Sequence, residues 1–591
     1  MRLRDTIILC VCVLTAAALL IAAGSQLDFI NSNRLQMRLI SNEPLRNAPP
    51  SLAFATVAMG AFRGLVVDVL WMRADRLKQQ NQFFDAKQLA EWITILQPRF
   101  AQVWEFHAWN MAYNISTAIP ATEPHERWRW VKNGYELLRD KGIVLNPKTI
   151  ALYQELARIF HHKIGSVSDD CHKYYKLQLA EAMEPLIAPA DQRHFKALAN
   201  SPTDLLKVIN DPNITGLVTA LKSADETFAD NDKIVSNYLT LRQNPRKFKP
   251  NAFRVINDFR GTATLQKFDI FAKAYQLCNT WKLEPVLMQQ LNELYGPADW
   301  NDPNKHLPLD WRHPCTHAIY WAVKGLRAAG KEEFSVEEAN TDRIVNHSLQ
   351  ELFRNGKIFI YNVPADNTKT THTAATDEPR AVKRQIFLRP DLRMFEPYNK
   401  STLSRIKKYK DIRESTYESL KTGHRNMLIN AAFSFYQAGH IQQAQKIYNQ
   451  LRELYPKDEF KVHLVIFVRN RLREELQNIG ITNAKEIIGM MLRESYFRYA
   501  LHDDDEAFGR EKMAEEVHKH YQSVYGGENR IDLPDFALLR YLALIDFLND
   551  GQYPPNMRLA LRNRIRIERP KLAEQLEKQE EKFFKQLEQP K

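Results

Sequence analysis

Two stretches of this chain are built alike. QQNQFFDAKQLAEWITILQP (79–98) and QAGHIQQAQKIYNQLRELYP (437–456) place alanine, Ala86 and Ala444, at one distance before a terminal proline, Pro98 and Pro456. Proline lacks the amide proton a continuing helix needs, and its ring clashes with the preceding turn, so each stretch reads as a helix with a fixed end. The apolar stripe of such a helix cannot be buried by the helix itself and needs packed neighbours. The constraint favours stacked helices over a sheet-based core.

Composition fits that architecture. A chain of 591 residues exceeds one ordinary globular core, which points to several domains or to a solenoid growing by addition. Glycine is scarce, with 20 in all, and the long Leu/Ala/Glu/Lys/Gln/Arg segments favour helix. Basic residues number 82 against 70 acidic, a net charge of +12 spread along the chain as on solvated helix surfaces. No dense Lys/Arg patch alternates with stacking aromatics, so no nucleic-acid partner is expected. Cys10 and Cys12 lie in the N-terminal apolar run; Cys171, Cys278 and Cys315 stand at long, irregular spacings. These give no disulfide framework. Cys171-His172 and Cys315-Thr316-His317 lack the spacing that puts two ligands on one helix face, so neither a metal nor a cofactor is expected.

The N-terminus bears on location. Residues 6–24, TIILCVCVLTAAALLIAAG, are uninterrupted apolar sequence behind Arg2 and Arg4. At about 1.5 Å per residue this run crosses most of a hydrocarbon core about 30 Å thick. It reads as an uncleaved anchor (1–25) in the lipid bilayer, with a cytoplasmic N-terminus and the bulk of the chain periplasmic or otherwise extracytoplasmic. The alternative is a signal peptide cut near Ala22-Ala23-Gly24, leaving a soluble exported protein. Residues 26–50, with Pro49-Pro50, read as a linker. A second apolar stretch, 51–72, contains Arg63 and Asp68. A charge at the centre of a membrane helix costs roughly 2.5–3.5 kcal/mol, so a buried first solenoid helix is expected there rather than a second crossing.

Further units follow the same plan. Trp71, Ala74, Ala86, Ala90 and Pro98 fall on one pattern; after Pro98 come Trp104 and Ala108, and after Pro147 come Tyr153, Ala157 and Phe160. Near the other end Ala432, Phe435, Gly439, Ala444, Tyr448, Leu451 and Pro456 make the most regular unit. These positions resemble the tetratricopeptide repeat, in which small residues let paired helices approach, aromatics fill the gap between pairs, and proline stops the second helix. The resemblance implies a mainly α fold, a tetratricopeptide-like solenoid of helix pairs, with repeats over 51–165 and 401–550. The pattern fades across 166–300, which stays helical by period without an assignable pairing.

Residues 301–400 break the helical texture. Within them KIFIY (357–361) and RQIFL (384–388) flank a polar, Thr-rich stretch at 364–382. A small β-hairpin insertion with a mobile tip is expected there, after one helix. HDDDEAF (502–508) lacks the glycine and terminal glutamate of a calcium loop and reads as an acidic helix start. The tail, 551–591, reads as a charged amphipathic helix with Leu572, Leu576, Phe583 and Leu587 on its stripe.

The resemblance also implies where contacts are made, since in such repeats the first helix of each pair lines a concave groove. Carried onto this sequence, those positions are Gln102, Glu105, Trp109 and Tyr113; Gln154, Arg158, His161 and His162; and Asn426, Phe433, Tyr436 and Gln437. Aromatic anchors among polar groups suit a protein or peptide segment as partner. The expected function is a membrane-anchored interaction scaffold that assembles or tethers an envelope complex, without enzymatic activity. Two alternatives stand beside it: a multi-pass membrane component using 51–72, and an enzyme in the 300–330 region built on Asp310, Cys315 and His317. No P-loop, Rossmann, nucleophile-elbow or zinc signature supports the enzyme.

Overall fold

The computed structural model describes residues 63–587 apart from 301, 303–304, 330–335, 365–381, 412–413, 439, 477–480, 526–532 and 551–552, with scattered positions between 11 and 33. About half of the anchor run 6–24 lies outside the described residues, as do most of the linker and all of residues 51–62. Among the described residues no helix is long and apolar enough to cross a membrane. The remainder of the second apolar stretch opens the helix Arg63–Gln79, where Val67, Leu70 and Ala74 pack with Leu89, Trp92 and Ile93.

The described chain is mainly helical and forms two compact units that interleave in sequence. The first takes residues up to Leu294 and then Leu307–Leu349; the second takes Tyr295–His306 and Gln350 onward.

In the first unit, Arg63–Gln79 packs on Phe83–Leu96. The chain turns at Pro98 into a helix over 101–118, pairs it with 124–145, and turns again at Pro147 into 150–164. Each of these last three helices contains a π-helical turn, at Asn110–Ile115, Leu138–Gly142 and Ile159–Ile164. The two prolines share a device. A carbonyl at a helix end has lost its helical partner, and an aromatic side chain supplies a new one. Trp104 Nε1 donates to the Pro98 carbonyl at 2.9 Å, and Tyr153 Oη donates to the Pro147 carbonyl at 2.9 Å.

Small residues set how closely the helices cross. A β-carbon at Gly134 would lie 2.8 Å from the Ala108 carbonyl oxygen, and one at Gly142 would lie 3.4 Å from the Trp104 β-carbon, so 101–118 and 124–145 run antiparallel in tight contact. The helix 150–164 finds its antiparallel neighbour far along the chain, in Pro314–Ala329. His161 meets Cys315, the Phe160 ring stacks on His317 at 5.0 Å, and Tyr153 meets Gly325. Helices between His172 and Leu294 therefore interrupt this pairing. Asp191, Asp204, Asp211 and Thr262 cap four of them with side-chain oxygens on free amides. Their core includes Phe228, Tyr238 and Phe268, with the last two rings edge to face at 4.9 Å.

In the second unit, strands Lys357–Pro364 and Val382–Arg389 pair antiparallel, with Lys357 opposite Arg389 and Ile360 opposite Ile386. Their connecting loop, 365–381, lies outside the described residues. Glu414–Gln437 packs on Ile441–Leu454. Helices Ile481–Ala500, Asp504–Tyr525, Phe536–Asn549, Pro555–Glu568 and Pro570–Leu587 close one core around Ile488, Leu492, Phe547 and Leu561. Leu572 and Leu576 of the expected tail stripe are buried in that core.

Candidate functional site

The first unit brings together most of the residues that the repeat pattern singles out. Glu105, Trp109 and Tyr113 recur every four residues on 101–118, so they share one face. Arg158 and His162 recur likewise on 150–164. The Trp109 and Tyr113 rings stack with centroids 6.2 Å apart, and the Tyr113 ring lies 5.8 Å from His162 on the neighbouring helix. Cations sit over this row. Lys78 Nζ is 4.9 Å from the Trp109 ring, and the Arg158 guanidinium is 4.8 Å from the Tyr113 ring. Tyr113 Oη also donates to the Arg158 carbonyl at 3.4 Å. A strip of alternating aromatic and basic groups therefore runs across three helices, Arg63–Gln79, 101–118 and 150–164.

Carboxylates flank the strip. Glu155 accepts from Arg158 Nε at 2.7 Å and from Nη2 at 2.8 Å, the forked geometry that suits guanidinium. Burial raises Glu155 to about 7 against the lowering pull of Arg158, with Glu105 adding a further upward push. Glu105 is raised by burial and by Glu337, and lowered by Arg158. Beneath the strip Asp169 is buried between Lys163 Nζ at 2.6 Å and Arg127 Nη1 at 3.3 Å. One buried carboxylate thus holds two buried cations, and removing Asp169 would leave both without a counter-charge.

His161 differs from its neighbour. Its Nδ1 is 3.2 Å from Ser348 Oγ and 3.8 Å from Cys315 Sγ. Burial, then His347 and His162, holds it down at about 4, so it is neutral near pH 7 and joins three helices instead of facing a partner. Gln102 is exposed; Gln154 is half-buried, and its Oε1 accepts no hydrogen bond among the described residues.

The second-unit residues behave otherwise. Asn426 is exposed. Phe433 packs against the C-terminal core, Lys512 Nζ sits 4.5 Å over the Tyr436 ring, and a β-carbon at Gly509 would lie 3.0 Å from the Gln437 carbonyl oxygen. The helix Asp504–Tyr525 occupies that face from within the chain.

The residues considered for an enzyme are engaged separately. His317 is fully buried, with Nε2 2.9 Å from the Trp311 carbonyl, and burial holds it at about 4. Asp310 forks onto Arg312 at 3.0 and 2.8 Å. Among the described residues no group of three or more His, Cys, Asp or Glu side chains is placed to hold a metal.

Several participants escaped the sequence reading. Glu155 was within reach, lying one turn before Arg158, where a helical ion pair forms. Lys78 and Ser348 carried no local signal. A cleft of about 340 Å³ in the second unit was also missed; Trp300, about half exposed, stands edge-on to His440 at 4.6 Å, and His440 Nε2 is 2.9 Å from Asp505 Oδ1.

No protein-family model and no curated protein matches the chain.

Proposed function

We propose that this chain is a membrane-anchored scaffold of tetratricopeptide-like helix pairs, extracytoplasmic in its bulk, that binds a protein segment along the strip Trp109–Tyr113–Arg158–His162. The observation that carries the reading is the row of partly exposed aromatic rings across adjacent helices, held against Lys78 and Arg158. Rings ordered before binding lose little entropy when a partner docks, and aromatic anchors carry much of the energy of such interfaces. Antiparallel pairing with small residues at the crossings supports the solenoid part of the proposal. The apolar run 6–24 behind Arg2 and Arg4 supports the anchor.

The test is co-purification from native membranes. Full-length protein should remain in the membrane pellet after alkaline carbonate extraction and bring a protein partner with it. Trp109→Ala should keep the fold and the membrane fraction while losing that partner. Retention of the same partner by Trp109→Ala would remove the strip from the binding site.

A further inference from the structure

Three features of the strip decide what kind of segment fits it. Both cations are already engaged. Arg158 gives Nε and Nη2 to Glu155 and lays its plane near Tyr113, and Lys78 divides its ammonium between Trp109 at 4.9 Å and Asp75 at 4.0 Å. Glu105, in line with Trp109 and Tyr113, has neither an ion pair nor a hydrogen bond among the described residues. Glu337, at the start of Val336–Asn355, pushes against a negative charge at Glu105, an effect smaller than the opposite pull of Arg158.

An unpaired, half-buried carboxylate is a costly group that an incoming cation relieves, while a second carboxylate there is repelled. We propose that the segment bound along this strip presents a lysine or arginine side chain to Glu105, beside its aromatic contacts. The proposal rests on the binding function above and adds the charge of the partner. A basic side chain would gain a charge-assisted bond to Glu105 and lie along the Trp109 edge, where its aliphatic stem covers apolar surface. An acidic segment would meet Glu105 and Glu337, while Arg158 and Lys78 are already shared with Glu155 and Asp75.

The experiment uses the full-length protein in detergent and a library of extended nonapeptides with every residue type at each position. Wild-type protein should enrich peptides with Lys or Arg at one position beside an aromatic or apolar residue. Glu105→Gln should weaken a selected peptide about tenfold, a loss of about 1.4 kcal/mol, and Glu105→Arg should select Asp or Glu at that position. Melting curves and Trp109→Ala run in parallel. Enrichment of acidic or uncharged peptides, or an unchanged preference in Glu105→Arg, overturns the charge assignment while leaving the strip in place. Enriched peptides whose binding survives Trp109→Ala, or no enrichment at all, overturn the strip itself.

Discussion

Gly325 and Tyr153 meet with no room for a side chain: a β-carbon at 325 would lie 2.5 Å from the Tyr153 β-carbon. The contact joins 150–164 to a helix more than a hundred residues away in sequence, so a local overlap tests a long-range pairing. Gly325→Ala should destabilise the protein by about 1–3 kcal/mol through overpacking. Gly423, mid-helix in Glu414–Gln437, is the control, since a β-carbon there would meet nothing within 4 Å. Gly423→Ala should stabilise by about 0.5–1 kcal/mol, because glycine loses more backbone entropy than alanine on entering a helix. Melting temperatures moving in opposite directions check both.

Much of that long-range pairing was illegible in the sequence for a physical reason. Period and proline placement are local signals, and they mark Pro98, Trp104, Pro147 and Tyr153 because one side chain bonds one carbonyl a few residues away. The partner of 150–164 is chosen by which distant helix offers Gly325 and Cys315 at matching heights, and nothing near residue 160 encodes that. Tyr436 illustrates the converse: its repeat position implies a groove, while Lys512 on a later helix covers the ring. The π turns also leave no trace in composition. Trp109, Tyr113, Arg158 and His162 were readable because they obey one helical spacing on two neighbouring helices.

The Pro98 carbonyl accepts two bonds, from Trp104 Nε1 at 2.9 Å and from Asn146 Nδ2 at 3.0 Å. Either donor keeps the buried oxygen satisfied. Trp104→Phe and Asn146→Ala should each cost about 0.5–1.5 kcal/mol. The double variant should cost more than their sum by at least about 0.5 kcal/mol, since the carbonyl then has neither donor. Urea titrations of the four proteins measure the coupling, and strict additivity would contradict it.

His424 is fully buried, with Nδ1 2.7 Å from Tyr455 Oη and Nε2 2.7 Å from Asn399 Oδ1. Burial lowers its pKa from 6.5 to about 4. Between those values the unfolded chain binds a proton that the folded chain refuses, so the stability from this site is complete above about pH 6.5 and is lost as pH falls towards 4. His424→Gln, which does not titrate, should flatten the fall in urea midpoint between pH 7 and pH 5. Part of the slope should persist, because His161 and His317 are also held at about 4.

Trp109 and Tyr436 are both aromatic candidates for the groove, in different surroundings. Trp109→Ala should weaken partner binding by about tenfold or more, as loss of an interface anchor does. Tyr436→Ala removes a ring already covered by Lys512, so it should lower the melting temperature and leave partner affinity within about twofold. Titration of both variants against the co-purified partner separates the two faces.

The most direct measurement places a photo-crosslinking amino acid at His162, the exposed end of the strip, in full-length protein within its own membranes. An adduct with a second protein is expected, and it should disappear when Trp109→Ala is combined with the probe. No adduct at position 162, or an adduct unaffected by Trp109→Ala, would contradict a binding strip on the first unit.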